Sequence, residues 1–148
     1  MRKACLLGVA VLFLSCPFAW ASDTMTEAIV TDLHAPDHVP RIWHSYDTGN
    51  STLAETLAPG VAFELKEVRL HLDAASATAE NFTITVDSIT NAVYDTVLLA
   101  KDMNAVTNYV WIPDNRRFFF ATDELDFAWG NSNTKTWGLE VLWQKTNM

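Results

Sequence analysis

The chain has 148 residues, 49% of them hydrophobic, and a formal net charge of −8. That length fits one domain with enough apolar material for a real core. The acidic balance excludes a nucleic-acid backbone or an anionic membrane as a natural partner.

Taken from the start, Arg2-Lys3 form a charged leader, Ala4 to Leu14 an apolar run and Ala19-Trp20-Ala21 an A-x-A site, so residues 1–21 read as a signal peptide cleaved before Ser22. The run is too short to span a bilayer comfortably and is followed by polar sequence. An exported chain follows, secreted, periplasmic or at the cell surface, with no membrane insertion of the mature part. Phe13-Leu14-Ser15-Cys16 forms a loose lipobox, which leaves a lipid anchor at Cys16 as the alternative. Both cysteines, Cys5 and Cys16, fall in this leader, so the mature domain is expected to hold without a disulfide. Cleavage removes Arg2 and Lys3 but no acid, taking the net charge from −8 to −10.

Residues 22–60 read as an irregular N-terminal segment packed on the main domain, broken by Pro36, Pro40 and Pro59. Ala28-Ile29-Val30 and Arg41 to Tyr46 are candidate short strands, Asp47 to Asn50 a turn, and Thr52 to Leu57 a single helical turn closed by Pro59-Gly60. The core domain is expected over 61–148, organised around Val61 to Leu72. There the apolar residues fall on odd numbers at Val61, Phe63 and Leu65 and on even numbers at Val68, Leu70 and Leu72. The slip at Lys66-Glu67 predicts a β-bulge or bend, because alternate side chains of a strand face opposite sides.

Asp73 to Glu80 reads as a polar loop, after which Phe82, Ile84 and Val86 alternate cleanly with Thr83, Thr85 and Asp87. Ser88 to Ala92 turns the chain into a strand over Val93 to Leu99, and Tyr109 to Ile112 form another that stops at Pro113. Phe118 to Phe120 come next. Leu125, Phe127 and Trp129, then Trp137, Leu139, Val141 and Trp143, share one phase each, and Gly130 to Asn133 between them has the composition of a hairpin turn. Seven to eight strands about ten residues apart, with no convincing helix, predict an all-β antiparallel sandwich, with jelly-roll connectivity preferred to immunoglobulin-like.

Candidate sites are few. Trp43, Tyr46, Tyr109 and Trp111 are candidates for an exposed aromatic surface that stacks on sugar rings, whereas Trp129, Trp137 and Trp143 are assigned to the core. No cofactor is implied beyond calcium. Acids near strand ends can converge on that ion, with Asp114 and Asp123 as first picks. His34, Asp37, His38 and His44 form the only histidine–acid cluster, but Pro36 breaks the helix that an i, i+4 metal pair would need. His71 is expected to point outward. Asn50-Ser-Thr52 and Asn81-Phe-Thr83 match the glycosylation sequon, and Arg116-Arg117 reads as an edge-strand device. The mature chain has no cysteine nucleophile, G-x-S-x-G elbow, phosphate loop or H-E-x-x-H.

The phrases FELKEVRLHL, AENFTITVDS, Tyr94-Asp95-Thr96, YVWIPD and DELDFAWGNSNTKTWGLEVLW, covering about the last 85 residues, resemble small β-sandwich modules of uncharacterised proteins in tailed bacteriophages, prophages and related bacterial genomes. Where such modules commonly carry a Gly-Asp turn, this chain has Thr122-Asp123. The resemblance implies a structural or surface-binding module without catalysis. The expectation is therefore a non-catalytic exported module with a structural, adhesive or assembly role, acting on a protein partner or on itself. A carbohydrate-binding domain is the alternative and a small secreted hydrolase the third reading.

Overall fold

A computed structural model describes residues 26–28, as backbone, and 42–146. The expected signal peptide, the lipidation alternative at Cys16, and Ile29, Val30, His34, Asp37, His38 and Arg41 lie outside the described residues. Ten strands follow in order: β1 (Thr26–Ala28), β2 (Ile42–Gly49), β3 (Leu53–Leu57), β4 (Phe63–Leu72), β5 (Asn81–Asp87), β6 (Thr96–Asp102), β7 (Asn108–Trp111), β8 (Arg117–Phe119), β9 (Glu124–Trp129) and β10 (Trp137–Lys145). A short 3-10 turn over Ala92–Tyr94 is the one other regular element among the described residues. They form two antiparallel sheets, one ordered β1-β2-β10-β4-β7 with β8 also on β4, the other β3-β9-β5-β6. With β1 and β8 set aside, the orders 2-10-4-7 and 3-9-5-6 are those of a jelly roll, two interlocked Greek keys.

The phase slip in β4 is a bulge. Leu142 of β10 sits opposite Glu67 and Trp143 opposite Leu65, so Lys66 is the extra residue. The bulge lets Phe63 and Leu65 below it, and Val68, Leu70 and Leu72 above it, all reach the same core. That core joins both sheets, with Leu53, Phe82, Ile84, Leu125, Phe127, Leu139 and Val141 fully buried. The three tryptophans assigned to it are there: Trp129, Trp137 and Trp143 are all buried. Trp143 is its aromatic hub, stacked on Trp43 at 5.4 Å and edge-on to Phe63 at 6.0 Å. Its Nε1 donates to Ser45 Oγ at 3.0 Å, so the one polar group it carries inward is satisfied.

Five expectations are corrected. The described parts of 22–60 are strands of the sandwich itself rather than an irregular segment packed on it, because β2 lies between β1 and β10 within one sheet and β3 forms the edge of the other. Thr52 to Leu57 make no helical turn. Leu53, Glu55 and Leu57 are buried in alternation, a period of two that pairing with β9 fixes. Asp47 to Gly49 continue β2 rather than turning, since Trp137 pairs with Gly49, and a Cβ on Gly49 would meet the Trp137 ring at 2.7 Å. Finally, β9 and β10 are not a hairpin: β9 pairs with β3 and β5, β10 with β2 and β4, so residues 130–136 cross between sheets. The strand placed at Val93 to Leu99 starts later, at Thr96, because Val93 and Tyr94 belong to the 3-10 turn.

Candidate interaction surface

The four aromatic candidates are two separate pairs. Trp43 and Tyr46 are on β2, Tyr109 and Trp111 on β7, and β10 and β4 run between them, a separation of three strand spacings or ~14 Å. Tyr46 is exposed, whereas Trp43, Tyr109 and Trp111 are half-buried against the core. Burial pushes the Tyr109 hydroxyl above its ordinary pKa, and Lys101 Nζ stands 5.8 Å from its ring centre. The calcium candidates do not meet in a built site. The Asp123 carboxylate accepts from the Phe120 amide at 2.9 Å and so closes the turn between β8 and β9, while Asp114 is exposed. Among the described residues no three His, Cys, Asp or Glu converge where a metal ion would sit. His71 points outward as expected and lies 2.6 Å from Asn108 Oδ1 through Nδ1.

On the outer face of the larger sheet, β2, β10 and β4 bring His44, Glu140 and Arg69 side by side. Arg69 donates to Glu67 at 2.6 Å and to Glu140 at 3.3 Å, and His44 Nε2 lies 3.8 Å from Glu140. The two carboxylates hold the Arg69 guanidinium above its usual pKa. A shallow depression of about 260 Å³ is lined by Ile42, His44, Arg69 and Leu142. Its one arginine is already shared between two acids, so the depression offers an apolar floor rather than a free charge.

A larger feature lies at one end of the sandwich. The β3–β4, β5–β6 and β8–β9 connections all turn there, beside the start of β2 and the end of β10, and β8 reaches this end along the edge of β4 after a loop over 112–116. Ten large apolar side chains are exposed among the described residues, and seven are at this end: Ile42, Ile89, Val93, Tyr94, Val97, Phe118 and Phe120. Val93 is 84% and Phe120 70% exposed. Scattered apolar residues on a surface mean little, but clustered ones mark contact sites.

The turn that carries Ile89, Val93 and Tyr94 is held by its own bonds. Asn91 Oδ1 accepts from the Val93 amide at 3.0 Å, the amides of Tyr94 and Asp95 reach Asn91 O and Ala92 O, and Asp95 Oδ1 accepts from the Ser88 amide at 3.0 Å. From Ser88 to Tyr94 no residue is charged. The turn therefore presents apolar side chains on a backbone whose Ser88, Val93, Tyr94 and Asp95 amides are bonded locally. In the neighbouring connection, Arg116 makes a two-pronged pair with Glu64 at 2.9 and 2.7 Å, and Lys66 at the bulge adds a third contact at 2.8 Å. These cations hold the nearly inaccessible Glu64 carboxyl down at a pKa of about 2, Arg116 contributing most. The pair fastens this connection to β4.

No protein-family model matches this chain, and no curated protein matches it in sequence. The apolar end was not legible beforehand because Val93 and Tyr94 read as the start of a strand. The signal present was Ser88 and Asn91 flanking an uncharged run, a composition suited to a side-chain-capped turn.

Proposed function

We propose that the protein is an exported, non-catalytic β-sandwich module that works by binding or assembly through its apolar end. The observation that carries this reading is the gathering of seven of ten exposed large apolar side chains at one end of the fold. A rigid turn that presents them loses little freedom on docking, which is what a contact surface needs. The resemblance of 63–148 to phage and bacterial β-sandwich modules supports the same reading.

The test is a photo-cross-linking amino acid placed at Tyr94 and, as a control, at the exposed Ala75 in the loop at the opposite end, in cells that make the protein. Adducts of higher mass from position 94 and none from 75 are expected. Adducts from neither position, or from 75 alone, would contradict the proposal.

A further inference from the structure

We infer that the apolar end is a self-complementary interface whose occupant is a second copy of this chain, related to the first by a two-fold axis. This rests on the reading of that end as a binding surface and adds the identity of its partner. The three connections that turn at this end contribute segments of five, eight and four residues, which with the strand ends flanking them approach the about 20–30 residues that one side of a standard protein interface holds.

The charges at this end point to a second copy. Asp87 and Glu124 are exposed and directly opposite each other where β5 meets β9. Like charges in that position repel, and among the described residues no cation pairs with either. Arg117, at the same end, is also exposed and makes no ion pair, since the neighbouring Arg116 takes Glu64. One copy thus carries both an unmet acidic pair and an unmet cation around a common apolar centre. A two-fold contact brings each to the other, because the same patch serves on both sides. The Ser88, Val93, Tyr94 and Asp95 amides of the 88–95 turn are bonded internally, so docking leaves those donors paired.

Sedimentation velocity of the purified full chain, from micromolar to millimolar concentration, should show monomer giving way to dimer. R117E alone and the double change D87K with E124K should each weaken dimerisation by about tenfold or more. An equimolar mixture of the two variants should restore a heterodimer. All three sites are exposed, and thermal melts will show whether each variant is folded. A strict monomer over the whole range, or a dimer indifferent to both charge changes, would overturn the inference. A monomer that still cross-links from position 94 to a different, heavier partner would sink the self-pairing while leaving the binding surface standing. A monomer with no adduct at all would sink both.

Discussion

At one end of the sandwich Asn131, Asn133 and Thr136 tie loops to one another, while at the other Ile89, Val93 and Tyr94 stand on a turn that bonds within itself. The tied end is polar and cross-linked in series. Asn131 donates to Ser51 O at 2.7 Å and to Lys135 O at 2.8 Å; Ser132 N and Asn133 reach Glu80 and Thr78; Ser76 O accepts from the Ala105 amide at 2.8 Å. Three non-glycine residues there have positive φ, Ala105, Asn131 and Thr134. Such conformations persist only where surrounding bonds over-determine them. The polar side chains at the tied end join separate loops, whereas at the apolar end Ile89, Val93 and Tyr94 stand exposed on a turn whose bonds stay local. The difference separates a part of the molecule built for stability from a part free for contact.

The largest expected loss is at the tied end. Asn131→Ala removes one acceptor and two donor bonds from a buried side chain at φ 49°, leaving partners unmet. It should cost about 2–4 kcal/mol in denaturant unfolding. Gly49→Ala pushes a Cβ against the Trp137 ring and should cost about 1–3 kcal/mol, with altered tryptophan fluorescence. Smaller and of opposite sign, Thr134→Asn places a residue tolerant of positive φ at 50° and should stabilise by about 0.5–1 kcal/mol. A neutral or destabilising result would mean that the turn is not strained.

Glu64 sharpens the comparison from the apolar side. Its carboxyl has a folded pKa of about 2, below the ordinary 4.5. A depressed acid adds stability that is present above about pH 4.5 and is lost as pH falls toward 2. Wild-type stability should therefore decline through that window, and Glu64→Gln should flatten part of the decline. If the two proteins lose stability in parallel on acidification, the Arg116–Glu64 pair contributes nothing.

Much of the fold was legible because burial on two facing sheets imposes a period of two. Phe82, Leu125, Leu139 and Trp143 declared their strands, and Lys66-Glu67 declared the bulge. Connectivity was less so: residues 130–136 have turn composition whether they close a hairpin or cross between sheets, and only the pairing of β10 with β2 and β4 decides. Leu53 to Leu57 misread as helical because Glu55 occupies an inward position, which hides the alternation. The aromatic site candidates were chosen by type, and type does not say that Trp43 and Trp111 both lean on the core from strands of one sheet with two other strands between them.

The most direct measurement is a paired one on the variant I89S/V93S/Y94S: its melting temperature at a concentration where wild type is monomeric, and its association at high concentration. The division of labour predicts an unchanged melting temperature, within about 0.5 kcal/mol of stability, together with lost association. A clear fall in melting temperature, or association equal to wild type, would contradict it.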